Sequence, residues 1–307
     1  VLARERVPTC AERGYEAIIA TVAELAARVC ASRGLSLASV PIGVGMPGGV
    51  SRRSGLVKNS NTVCLNGRPF RADLERALGR PVAFDNDANC FALAEATLGA
   101  ARGHDDGVVM GVIMGTGVGG GLVLRGRVWS GLDGIAGEWG HHAVFHGQGP
   151  LCYCGRRGCL ETFASGPAIE RAYLEASGTR LSVAEVAARR ASDPHAARAI
   201  EGLLEAFGRG LANVLDVLDP SIVVLGGGLS NLSLLYDEGR ERVARYVFDD
   251  ELRTPIVRHA LGDSAGVLGA ALLALEAPPL ATIEPRARGS EESERSFAEP
   301  SSREPRG

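Results

Sequence analysis

The chain has 307 residues, 45% of them hydrophobic and 22% charged, enough for two cores of ordinary globular material. A net charge of -3 gives no basic field for nucleic acid, and no apolar run is long enough to span a membrane. The N-terminus lacks the basic, apolar, small-residue order of a secretion signal. A cytoplasmic, reducing setting is therefore expected, where clustered cysteines point to metal or catalysis rather than disulfides.

In chain order, Ile18, Val22, Leu25 and Val29 stand at helical spacing and predict an amphipathic helix over 12–33. "VPIGVGMPGG" at 40–49 reads as a short strand running into a turn. "RADLERALG" is a helix closed by Gly79, and "PVAF" is a strand. "DNDANCFALAEATLG" opens on cap-type residues and continues as a helix to Gly99. "GVVMGVIMG" is a buried strand, followed by a glycine loop and the strand and turn of "GLVLRGRVWSG". The longest helix is expected at about 195–218, with Ile200, Leu203, Leu204, Phe207, Leu211, Val214, Leu215 and Leu218 on one stripe. "SIVVLGGGLSN" is a strand entering a glycine turn and another helix, and strand "PIVRHA" with helix 264–276 closes the fold. Alternating strands and helices argue an α/β fold. Residues 278–307 are Pro, Glu, Ser and Arg with little that is apolar, so a disordered tail is expected.

Three stretches carry chemistry. "GTGVGGG", Gly115 to Gly121, comes after a strand and offers bare backbone N–H groups to a phosphate. It also fits the dinucleotide fingerprint, but that fingerprint needs a helix next, and a strand comes next here; a structural turn is a further reading. In "FDNDAN", Asp87 stands at a helix start, where an ionised carboxylate is favoured and can take a proton from a hydroxyl. Asp85 or Asp87 serving only as a helix cap is the plainer alternative. In "CYCGRRGCLE", Cys152, Cys154 and Cys159 supply three thiolates of a four-coordinate zinc site. His141, His142 and His146 are candidates for the fourth ligand, against three unrelated reduced thiols.

"GTGVGGG", "NDANCFALAEA", "GEWGH", "CYCGRRGCLE" and "GGGLSN" occur in the order seen in ROK sugar kinases, a resemblance running from about residue 4 to 275. It implies a two-lobed actin-like, hexokinase-like ATPase fold of ribonuclease H-like type with a zinc-binding loop. The lobes would be 1–110 with 264–277, and 111–263 with the zinc loop at 141–161. It implies that Asp87 is the general base and that Asn61, Asn86, Glu138, His141 and Glu161 bind the sugar. Gly115, Thr116, Gly117, Gly119 and Gly120 would face phosphate, with Gly226, Gly227, Gly228 and Asn231 on the adenosine side. His141, Cys152, Cys154 and Cys159 would hold structural Zn²⁺, orienting His141 and the loop of Glu161. ATP, Mg²⁺, a small-molecule sugar and a homodimer are implied, with neither nucleic acid nor membrane as partner.

Two departures are visible. Family members carry a "DxGGTK"-like phosphate loop on an N-terminal strand. "RERVPT" at 4–9 resembles the segment just after that loop, so a strand of the first lobe and half of the phosphate clamp are expected to be missing, which puts the activity of this exact chain in question. "LGDSAG" at 261–266 stands where related kinases often show His before the Gly. "GLVKNSNT", "GEWGH", "CYCG" and "ETF" resemble fructokinases, which ranks phosphorylation of the fructose 6-hydroxyl first. "NDANCFALAEA", "LNGRPFRADL" and "GGGLSN" resemble N-acetylglucosamine kinases equally, and glucose or mannose rank after both. A sugar-responsive ROK transcriptional regulator is the alternative of another class.

Overall fold

A computed structural model describes residues 1–276; the tail expectation for 278–307 lies outside the described residues. The helices are α1 Tyr15–Ala31, α2 Phe70–Leu78, α3 Asp87–Leu98, α4 Glu161–Ala164, α5 Gly166–Ser177, α6 Val183–Arg189, α7 Pro194–Leu218, α8 Glu238–Ala244 and α9 Ala265–Glu276. The strands are β1 Gly43–Met46, β2 Gly49–Val50, β3 Val57–Lys58, β4 Ala83–Asn86, β5 Val108–Met114, β6 Val118–Leu124, β7 Arg127–Val128, β8 Ile222–Gly226 and β9 Ile256–Arg258.

Five of these strands form one sheet in the order β7-β6-β5-β8-β9. β5 pairs antiparallel with β6 and parallel with β8, and β8 pairs parallel with β9. Strand alternation divides the side chains between two faces. Met110, Val112, Met114, Val223 and Leu225 meet the stripe of α7 in the largest core. Val109, Ile222 and Val224 turn the other way, onto Phe91 and Ala92 of α3 and Leu268 and Leu272 of α9. A third core joins α1 and α2 to the parallel pair β1-β4 through Ile18, Met46, Phe70 and Leu74.

α7 starts where the sequence expects it. Asp193 accepts N–H bonds from His195 and Ala196, and Pro194 takes the first turn, where its missing donor costs nothing. α3 is different: every residue from Ala88 to Ala96 is buried, as a helix wedged between other elements requires. It lies close on the sheet because β5, β6 and β8 present glycines to it. A Cβ at Gly111 would stand 2.6 Å from the Ala92 Cβ, and one at Gly121 would stand 2.5 Å from the Ala88 carbonyl oxygen. At Gly226 it would meet the Phe91 ring at 2.5 Å.

The run expected as a glycine loop is therefore divided. Gly115, Thr116 and Gly117 make the turn, while Val118 to Gly121 already belong to β6. The helix expected after "GGGLSN" starts later: Gly228–Asn231 and Ser233–Leu235 are single 3-10 turns before α8. Among the described residues no helix is long and apolar enough to cross a membrane.

Candidate active site and metal centre

At the β4–α3 junction, the Asn86 Oδ1 accepts the Ala88 N–H at 2.8 Å and so caps α3. Its Nδ2 donates to the Gly48 carbonyl at 2.8 Å, leaving one amide proton for a ligand. Asp87 Oδ1 shares the Ala88 N–H at 2.9 Å. The second Asp87 oxygen carries no bond to the described residues and opens to a cleft. The carboxylate is reachable by solvent there yet walled by protein on most sides. Burial raises its pKa above the ordinary carboxylate value; the Ala88 N–H opposes this, and the Glu138 charge adds to it. Asp85 does not line the cleft; its Oδ1 accepts from the Asn86 N–H and the Asn89 Nδ2, both at 2.7 Å.

The cleft holds a cavity of about 250 Å³, on which Asn61, Asn86, Asp87, Glu138, His141 and Glu161 converge, with Gly115, Thr116, Gly117, Gly119 and Gly120 along its floor. A second cavity of about 420 Å³ is lined by Gly227, Gly228 and Asn231 and by Arg258 and His259. Asp87 and Ile113 line both. Gly226 does not reach the second cavity, being turned onto Phe91. Gly227 is needed for a close crossing: at φ 79°, a Cβ would meet the Met114 carbonyl oxygen at 2.4 Å. Gly48, Asn59, Tyr153, Arg258 and His259 also line these cavities and were missed by sequence reasoning; Asn59 and Tyr153 lie within the motifs "GLVKNSNT" and "CYCGRRGCLE", which were the available signal.

The cysteine loop is a small knuckle. Ala143 bridges Cys159 and Leu151 bridges Arg157, with Gly155 and Gly158 at positive φ in the turns between the thiols. One donor atom each from His141, Cys152, Cys154 and Cys159 lies within 4.8 Å of every other. The His141 Nδ1 is 3.6 Å from the Cys152 Sγ, and the Cys154 and Cys159 Sγ atoms are 3.5 Å apart. Tetrahedral zinc with bonds of about 2.3 Å to sulfur separates its ligands by roughly 3.8 Å, so this donor set fits the ion. Of the three candidate histidines, His141 joins the thiols. His142 turns its Nε2 into the protein without a partner among the described residues, and His146 is exposed. Burial works against a Cys154 thiolate, but hydrogen bonds from Arg156 and the neighbouring thiols outweigh it and bring that group down to about 6. Burial and Cys154 push Cys159 up to about 12. A dication offsets this repulsion and lets all three ionise.

Two contacts tie the knuckle to the cleft. Glu161, two residues past Cys159, accepts the Val118 N–H through Oε2 at 2.9 Å. The His141 Nε2 lies 2.9 Å from the Tyr153 hydroxyl. Desolvation around its hydroxyl, with the Glu161 and Glu138 charges, pushes the Tyr153 phenol up to about 12, although 71% of the residue is exposed.

The chain is 38% identical over 287 residues to an N-acetyl-D-glucosamine kinase of Vibrio vulnificus (strain YJ016), covering 89% of this chain and 91% of that one. The ROK hexokinase from Thermus thermophilus superposes with a TM-score of 0.77 at 39% identity, over 88% of this chain and 89% of the other. A ROK family glucokinase from Streptomyces griseus, solved with glucose and AMPPNP, gives 0.72 at 29% identity, over 86% and 89%. These neighbours confirm the hexokinase-like, actin-like architecture that the motifs implied. With the ROK family model matching residues 1–277, the chain belongs to the ROK family.

Proposed function

We propose that the protein is an ATP-dependent sugar kinase that phosphorylates the 6-hydroxyl of N-acetyl-D-glucosamine. The observation that carries this is the position of Asp87, which lines both the cavity rimmed by amides and carboxylates and the one against the glycine turns. A hydroxyl placed at Asp87 from the first cavity faces a phosphate lodged in the second. Fructose, ranked first from sequence, gives way to the alternative, because the Vibrio vulnificus relative is an N-acetyl-D-glucosamine kinase.

In this reading the first cavity takes the sugar. Glu138, Glu161 and the remaining Asn86 proton bind ring hydroxyls, and His141 closes the end beside the knuckle. ATP would bind as its Mg²⁺ complex, in which the ion would supply charge neutralisation on the phosphates. The sugar O6 attacks the γ-phosphorus, the new O–P bond forms as the bond to the bridging oxygen breaks, and ADP leaves. Asp87 takes the hydroxyl proton. In this turn the Gly115 N–H is held by the Gly117 carbonyl, so the N–H groups of Thr116 and Gly117, with those of the Gly227–Gly228 turn, are the backbone donors offered to the transferring group. Zinc on His141, Cys152, Cys154 and Cys159 would be structural, since four protein donors leave no open position. The lobes of this reading, within the described residues, are 1–110 with 264–276, and 111–263, with the cleft between them.

ADP release by the full-length protein, measured with N-acetylglucosamine, fructose, glucose and mannose, tests the proposal. The highest kcat/KM is expected for N-acetylglucosamine, with a 6-phosphate product by ³¹P NMR. A preference for fructose would overturn the substrate assignment. Sugar binding with no ADP release would favour the regulator.

A further inference from the structure

Tyr153 stands between two zinc-site cysteines and on the wall between two cavities. Beyond that wall lies a third space of about 990 Å³, bordered by Val57, Val63 and Ile135. It shares Asn59, Glu138, His141 and Tyr153 with the sugar cavity, but not Asp87. The sugar cavity thus has one end at Asp87, open to the nucleotide side, and another at Tyr153, open to this third space.

Pyranose geometry assigns what reaches each end. With the 6-hydroxyl at Asp87, C5 is the ring carbon nearest the base. The atom across the six-membered ring from C5 is C2. The substituent on C2 is therefore carried toward the wall of Tyr153, where the sugar cavity meets the third space.

The hydrogen-bond direction at Tyr153 is set by its neighbour. The His141 Nδ1 faces the Cys152 sulfur at 3.6 Å, and with zinc held between them the ring proton would sit on Nε2. That N–H donates to the Tyr153 oxygen at 2.9 Å, and the two rings meet edge to face at 5.1 Å. The tyrosine oxygen is then used as an acceptor, and its own proton is left to donate. Such a donor needs an acceptor within reach: the amide carbonyl oxygen projects beyond the position of a 2-hydroxyl and supplies one, and a free ammonium supplies none.

We propose that Tyr153 is the residue that selects an acetamido group at C2, donating its hydroxyl proton to the amide carbonyl while the acyl methyl enters the space beside Val63 and Ile135. This rests on the reading of the protein as a sugar 6-kinase and names the contact that sets its substrate class.

The test compares wild type with Tyr153→Phe, which keeps the ring and removes the hydroxyl. Dissociation constants for N-acetylglucosamine and glucose are measured by calorimetry, alongside kcat/KM for both and zinc content. The variant should keep its zinc, and its preference for N-acetylglucosamine over glucose should fall by about tenfold or more, the size of a lost hydrogen bond to substrate. Equal losses on both sugars, or no change in the ratio, would overturn the proposal. A second measurement needs no variant: N-propanoylglucosamine should bind wild type about as well as the acetyl sugar, because the acyl group ends in open space. A loss beyond roughly tenfold would place that group elsewhere and overturn the assignment. Wild type that binds glucose and rejects N-acetylglucosamine would overturn the substrate reading and this contact together, whereas a wild type that prefers N-acetylglucosamine with an unaltered ratio in the variant would overturn only the contact.

Discussion

Glu161 and Val118 join two parts of the molecule that are 43 residues apart: the carboxylate that comes after the last cysteine accepts the N–H of the first residue of β6. The same oxygen would lie 2.8 Å from a Cβ at Gly117. The knuckle and the glycine turn are therefore positioned against each other through one side chain. Cys154→Ala should abolish zinc binding by metal analysis and, through the freed Glu161, weaken sugar affinity by about 10- to 100-fold. Retention of zinc, or loss of zinc with sugar affinity intact, would contradict this coupling.

Asp87→Asn separates base from cap. The cap bond belongs to Asn86, so the substituted helix keeps its start. The turnover number should fall by about 10²–10⁴-fold, roughly 3–5 kcal/mol of barrier, with the sugar dissociation constant little changed. Asn86→Ala should instead cost about 1 kcal/mol of stability as a lost cap. Turnover that survives in Asp87→Asn would return Asp87 to a structural role.

The raised Asp87 pKa has a signed consequence. A base must be ionised, so turnover falls as pH drops through the folded value, at a higher pH than an ordinary carboxylate would set. For stability, a carboxyl whose pKa is higher folded than unfolded contributes fully below the unfolded value, about 4, and loses that contribution as pH rises through the folded one. Ionised Asp87 thus costs stability at neutral pH. Asp87→Asn should melt higher than wild type at pH 7, with the gap closing toward pH 4. Parallel melts across that range decide it, and a variant that melts lower at pH 7 would refute the sign.

Glu95 is fully buried and bonded to backbone donors. Its carboxylate accepts the N–H groups of Ala100, Ala260 and Leu261, joining the end of α3 to the segment that brings His259 to the second cavity. Glu95→Ala leaves those donors unpaired and should cost more than about 3 kcal/mol in chemical denaturation. A loss below about 1 kcal/mol would mean that water replaces the carboxylate.

Much of this was legible from residue order. The α7 stripe, the cap-type residues before α3 and the strand of "GVVMGVIMG" report local periodicity and capping, which sequence carries directly. Six polar residues of the cleft, Asn61, Asn86, Asp87, Glu138, His141 and Glu161, came from motifs, and the structure brings them together at one cavity. The glycine run was only half legible: Gly119 to Gly121 read as loop but lie in a strand, where Gly121 is kept bare by α3 and Gly120 by Gly137 and Trp139, neighbours that residue order does not reveal. Three histidines competed for one ligand position until backbone direction separated them. Tyr153 was overlooked because its importance lies in where its ring points, between cysteines that draw the attention.

The glycine seat under α3 has a consequence for reading sequence variation. Gly111, Gly121 and Gly226 are held by lack of room. In a saturation screen scored on activity, all three would fail as completely as catalytic positions. Gly121→Ala would push the first turn of α3, and Asp87 with it, away from the cleft. Invariance at these sites is thus a signature of clearance, and a motif scan that equates invariant glycines with phosphate contact will draw the nucleotide site too large.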